Sequence, residues 1–155
     1  MKYSIKILFF CSLYVMIITG CSKGGGSAPV AVPDTTKPTI SITSPTAGQS
    51  FVAGNAISFQ ATFADNVALQ SYDIAVSKKV LGGFMLKVVP TSVPFSYIKS
   101  TTALSGKSQT ISLSDIIIPA NTATTIVTTG VYNFKVNCVD SSNNANSTTI
   151  EFNIN

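Results

Sequence analysis

Five aspartates, one glutamate and no histidine limit what chemistry this chain can do. General acid–base catalysis calls most often on histidine, so its absence excludes a Ser/His/Asp triad and any histidine-bound zinc. Glu151 alternates with Ile150 and Phe152 in "TTIEFNIN" and points away from the face they share. Asp73 and Asp115 are the residue types that cleave sugars in pairs, yet both fall in alternating stretches on positions facing solvent. "SGKS" at 105–108 mimics the end of a phosphate loop, but Thr101 stands where that pattern needs glycine. The chain therefore reads as a non-enzyme with no required cofactor. Asp34, Asp65 with Asn66, and Asp140 with Asn143 and Asn144 offer a different chemistry. Carboxylates and amide carbonyls are hard oxygen ligands, of which calcium takes six to eight. No EF-hand spacing accompanies them, and Asp and Asn are equally at home in turns, where they bond their own backbone.

Cys21 poses a separate question. It follows a start with Lys2 and Lys6, an uncharged and mostly apolar run from Ile7 to Ile18, and the small residues Thr19 and Gly20. Twelve helical residues at ~1.5 Å each reach about 18 Å, short of the ~30 Å needed to span a bilayer, so residues 1–20 read as a cleaved export signal. "ITGC" resembles the lipobox of bacterial lipoproteins, which implies that Cys21 becomes an acylated, palmitate-bearing N-terminus anchored in a membrane. One chain holds only marginally, whereas the several chains of that family, at ~0.8 kcal/mol per buried CH₂, hold firmly. Ser22, in place of an aspartate, resembles outer-membrane sorting, with the protein on the periplasmic or cell-surface side. Cys11 leaves with the signal, and Cys138 alternates with Val136 and Phe134 as a buried small hydrophobe without a disulfide partner.

Removing Lys2 and Lys6 takes ten lysines to eight against six acids, so net charge falls from +4 to +2. No arginine is present to grip phosphate or guanine, and nucleic acid is excluded as a partner. Residues 21–37 form the lipidated cysteine and a Gly/Ser/Pro/Ala-rich tether, and residues 38–155 a single domain.

Within that domain the apolar period is two. "PTISIT", "AISFQATFAD", "SYDIAVS", "FMLKVV", "PFSYIK", "QTISLSDIII", "VYNFKVNCV" and "TTIEFNIN" each place apolar residues on one face. Short one-sided strands without helical crossovers imply two antiparallel sheets packed face to face, an all-β sandwich of about seven to nine strands. "KSTTALSGKSQ" and "PANTATTIVTTG" read as long surface loops.

The stretch from "DTTKPTISITSPTAGQSFVAGNAISFQATFADN" to "GVYNFKVNCVDSSNNANSTTIEFNIN" resembles bacterial immunoglobulin-like modules, closest to uncharacterised Ig-like, cadherin-like lipoproteins of Gram-negative bacteria. The resemblance rests on Asp34 and Pro38, on Ser44, Pro45, Gly48, Phe51 and Gly54, on Asp65-Asn66, and on Gly130 through Asp140 to Asn144. It implies an Ig-like topology that brings Asp34, Asp65, Asn66, Asp140, Asn143 and Asn144 to one pole, where a calcium ion would stiffen the junction with the tether. The function expected is a non-catalytic binding, adhesion or scaffold module, with a glycan-binding accessory lipoprotein as the alternative. Lys78, Lys79, Leu81 and Phe84, around the Gly82-Gly83 turn, are the candidate contact for a protein or glycan partner. They serve equally as a sandwich edge in which the lysines discourage strand pairing.

Overall fold

Alternation along Thr-, Ile- and Val-rich stretches builds the domain, and each strand turns its apolar side the same way. The computed structural model describes residues 32–80 and 91–155. The described strands are β1 (Thr39–Ser44), β2 (Ser50–Phe51), β3 (Ala56–Ala64), β4 (Leu69–Lys78), β5 (Thr91–Val93), β6 (Tyr97–Ala103), β7 (Ser108–Ile117), β8 (Thr125–Val127), β9 (Gly130–Asp140) and β10 (Ala145–Ile154). No helix occurs among the described residues. One sheet has the order β1-β3-β7, the other β2-β10-β9-β4-β6, and β5 and β8 form a small pair of their own. This is an Ig-like β-sandwich, and Pro33–Asn155 forms one compact unit.

The inner faces interlock through aromatic rings. Phe59 of β3 stacks on Phe134 of β9 at 5.3 Å, and Phe63 of β3 meets Tyr72 of β4 at 5.2 Å. Ile57, Ile74, Ile116, Val136, Cys138 and Phe152 fill the space around them and are fully buried. The outer face of the three-stranded sheet carries hydroxyls, with Thr62 and Thr110 Oγ1 2.9 Å apart across β3 and β7.

Two pairings depart from the antiparallel expectation. β2 runs parallel to β10, and β5 runs parallel to β8. After β1 the chain leaves the first sheet through the cis Ser44-Pro45 bond and lays β2 along the edge of the second. Strands of two or three residues are too short to display a period, so neither β2 nor β8 shows in the sequence. β8 lies inside the expected loop "PANTATTIVTTG", with Val127 buried and its N–H held by Asn121 Oδ1 at 2.8 Å. The other expected loop shrinks to residues 104–107, because Leu104 is buried and its N–H donates to Gln70 O. The expected strand "FMLKVV" lies outside the described residues.

The two ends of the sandwich differ in chemistry. At one, Asp65 N donates to Lys107 O, Leu69 N to Gly106 O and Ser141 N to Ala68 O, lashing three connections together. At the other, Tyr132 near the start of β9 donates its hydroxyl to Thr128 O at 2.5 Å and accepts from Phe95 N at 3.2 Å. A tyrosine bonding back to the backbone just upstream is the corner motif typical of Ig-like sandwiches.

Candidate metal centre

Three carboxylates from distant parts of the sequence meet at the first of these ends. Asp34 precedes β1, Asp65 follows β3 and Asp140 closes β9, and one oxygen of each lies within 4.8 Å of the other two. Antiparallel pairing puts them there, since the end of β3 and the end of β9 fall at the same pole.

Asp34 and Asp65 are each fixed on one side by N–H donors, which leaves the other oxygen available, while Asp140 accepts on both. Asp34 Oδ1 accepts from Thr36 N and Asn66 Nδ2, both at 3.0 Å. Asp65 Oδ2 accepts from Val67 N at 2.8 Å and Ala68 N at 2.9 Å. Asp140, with no exposed surface, accepts on Oδ1 from Ser142 N at 2.8 Å and Asn144 N at 2.7 Å, and on Oδ2 from Asn144 Nδ2 at 2.7 Å. Asp34 Oδ2 and Asp65 Oδ1 are shut off from solvent without a hydrogen-bond partner among the described residues. The amide of Asn66 and then that of Thr36 hold the Asp34 carboxyl below its ordinary value, which keeps the charge in place.

This arrangement is electrostatically incomplete. Like charges held within 4.8 Å of one another repel, and three such pairs are present. The one ion pair among the described residues, Lys79 with Glu151, lies elsewhere and neutralises none of them. Buried carboxylate oxygens without partners are costly, and a hard divalent cation satisfies all of them at once. The donor set is all oxygen. Cys138, the nearby soft ligand type, is buried, and its thiol is pushed up to about 11 by desolvation first and then by the charges of Asp65 and Asp140. Oxygen ligands of this kind suit calcium, which tolerates irregular geometry and completes its shell with water.

The asparagines play a different part from the aspartates. Asn66 and Asn144 turn their amide nitrogens toward the carboxylates, so they act as positioning donors. Asn143 has φ 66°, the left-handed region that asparagine tolerates, and its N–H donates to Asp140 O, so it makes the tight turn between β9 and β10. Nearby, Asn146 Nδ2 donates to Pro38 O at 2.8 Å.

The candidate partner surface is only half in view. Lys78 Nζ donates to Thr129 O at 3.0 Å and Lys79 is tied to Glu151, while Leu81 and Phe84 lie outside the described residues. Cys21 lies outside them too. Sugar binding draws on exposed aromatic faces, and of the two aromatic residues in "PFSYIK" Phe95 is buried and Tyr97 is half-buried. Among the described residues, every large hydrophobic that is well exposed is a valine or an isoleucine.

Comparison with known proteins leaves the activity open. The chain is similar to fibronectin(III)-like modules of Clostridium thermocellum CbhA, at 17% identity and a TM-score of 0.44, covering 76% of this chain and 46% of that one. It is also similar to Spo0M, a sporulation control protein from Bacillus subtilis, at 7% identity and a TM-score of 0.42, covering 76% and 48%. A third likeness is to a β-glucosidase from Listeria innocua, at 10% identity and a TM-score of 0.39, covering 74% of this chain and 16% of the enzyme. The chain thus spans about half or less of the length of each of these proteins. No curated protein matches it. A family model does match, over residues 21–155, and by it the chain belongs to the family described as a domain of unknown function, DUF4625.

Proposed function

We propose that this protein is a non-catalytic adhesion or scaffold module, held to the outer membrane by lipid on Cys21 and stabilised by a calcium ion between Asp34, Asp65 and Asp140. The observation that carries the reading is the convergence of those three carboxylates, two of them with buried oxygens that lack partners. Bound there, calcium supplies positive charge and oxygen coordination and performs no chemical step. Asp34 and Asp65 offer their free oxygens, and Asp140 offers Oδ2 while Ser142 and Asn144 hold its Oδ1. The anchor is supported by the "ITGC" motif after the apolar run, by the tether that follows, and by a family match that starts at Cys21. The envelope side of that membrane supplies the protein or glycan partner such a module would hold.

Thermal unfolding of the chain with residues 1–20 removed, in 1 mM Ca²⁺ and in EGTA, tests the ion. A rise in Tm of several degrees is expected, and an identical Tm would remove calcium from the reading. Mass spectrometry of the membrane-extracted protein tests the anchor, and an unacylated Cys21 would overturn it.

A further inference from the structure

We infer that the free edge of β7 is a self-association surface, on which a second copy of this chain adds its own β7 antiparallel across a two-fold axis. This pairing needs neither the ion nor the lipid, so it stands or falls apart from both.

β7 pairs with β3 on one side only, and the backbone groups along its other side have no ladder partner. Natural sheets blunt such edges with short strands, bulges and charge. The other edges here are blunted. β2 has two residues, β5 and β8 have three, β1 has six with an extra residue at Thr43, and β6 carries an extra residue at Ser100 and Thr101 in its middle. β7 has ten residues and no proline, and its ladder with β3 runs unbroken from Ser108 to Leu113. Its one irregularity comes late, between Leu113 opposite Phe59 and Ile116 opposite Ile57. Ile111 and Leu113 pack against the core yet are only half-buried, so an added strand has apolar side chains left to cover.

This edge is complementary to its own reverse. Lys107 to Asp115 reads "KSQTISLSD", with lysine at one end, aspartate at the other and Ile111 in the centre. Two antiparallel copies with Ile111 opposite Ile111 bring Gln109 opposite Leu113 on the inner face. On the outer face Thr110 meets Ser112 and Ser108 meets Ser114. Lys107 of each copy then falls beside Asp115 of the other, at both ends of the pairing. Both residues are exposed, and Lys79–Glu151 is the one salt bridge among the described residues, so neither is spent on a partner within the chain. Opposite charges across a strand pair are favourable and like charges unfavourable. A parallel arrangement in register sets lysine against lysine and aspartate against aspartate. A slip of one residue sets inner-face residues against outer-face ones, and a slip of two keeps the faces but separates both ion pairs. Charge and face together select a second copy in one register. One strand from each side makes a small interface, so the dimer forms reversibly and at high concentration.

Sedimentation equilibrium of the chain with residues 1–20 removed tests this, in EGTA and a reducing agent so that neither an ion nor a Cys21 disulfide joins copies. The expected result is an average mass that climbs from monomer toward dimer between about 10 μM and about 1 mM. A monomer throughout would overturn the inference. Lys107→Glu sets like charges together at both ends and should weaken association at least tenfold. Lys107→Glu combined with Asp115→Lys restores both pairs in reverse and should recover it. Association unchanged in the single variant, or not recovered in the double one, would place the contact elsewhere and overturn the β7 pairing.

Discussion

The two ends of the sandwich solve the same structural problem, tying loops to a packed core, with opposite chemistry. At the Tyr132 end a neutral hydroxyl satisfies a backbone N–H and a backbone C=O within the protein itself. At the aspartate end three carboxylates converge and two of them keep a buried oxygen without a partner among the described residues, which under the proposed function a cation from solution would complete. The difference teaches that one end is closed by folding alone, whereas under the proposed function the other would be conditional on an ion. A module built that way would keep its core regardless of its surroundings and let the ionic conditions act on a single pole.

The comparison breaks most sharply at Asp140. Asp140→Ala strands the N–H groups of Ser142 and Asn144 and removes a proposed cation ligand, and in calcium it should lower the unfolding free energy by about 3 kcal/mol, read by urea titration. In EGTA the loss should be smaller, because the same substitution relieves repulsion with Asp34 and Asp65. An equal loss in both conditions would show that the pole is not conditional. Tyr132→Phe should lower stability by about 2 kcal/mol, since Phe95 N–H and Thr128 C=O lose their shared partner, and it should leave the calcium shift untouched.

Alkali distinguishes the ends as well. Burial first raises Tyr132 above the ordinary tyrosine value, and the Phe95 amide only partly offsets this. A group whose folded value is raised contributes stability that is fully present below its unfolded value and lost as pH climbs through the folded one. The Tyr132 contribution should thus persist up to about pH 10 and fade above it, and Tyr132→Phe should flatten that part of the stability profile against pH. Cys138, buried and pushed up to about 11, should resist a disulfide reagent at pH 8 until the protein is unfolded. The smallest effect belongs to the surface pair Lys79–Glu151, where Lys79→Ala should cost no more than about 1 kcal/mol and fall on neither side of the comparison.

How far the sequence revealed all this depends on the length scale of each signal. Long one-sided strands are legible because the core demands a period of two, and Phe59, Phe63, Phe134 and Phe152 are each where alternation puts them. β2, β5 and β8 are not legible, since pairing held by two or three residues and a neighbouring edge leaves no period to read. At the candidate site the residue types were visible and their meeting point followed from the Ig-like resemblance. What spacing could not reveal is the division of labour. Asn144 looks like an oxygen ligand in "SSNNAN", yet its amide hydrogens go to Asp140 and Asp34, and only the fold decides which end of an amide faces inward. The Tyr132 corner was within reach, because a tyrosine near the start of the next-to-last long strand is where such corners fall.

The parallel seam between β2 and β10 has a mechanical meaning. Gly48 N bonds Glu151 O, Asn153 N bonds Gln49 O and Asn155 N bonds Phe51 O, so the seam is a row of backbone rungs between strands that point the same way. Tension that enters through Pro33 and leaves through Ile154 would load those rungs together in shear, the hard direction, where an antiparallel edge would unzip one rung at a time. Were the proposed lipid anchor to hold the N-terminal side, traction across the domain would meet this seam in its hard direction.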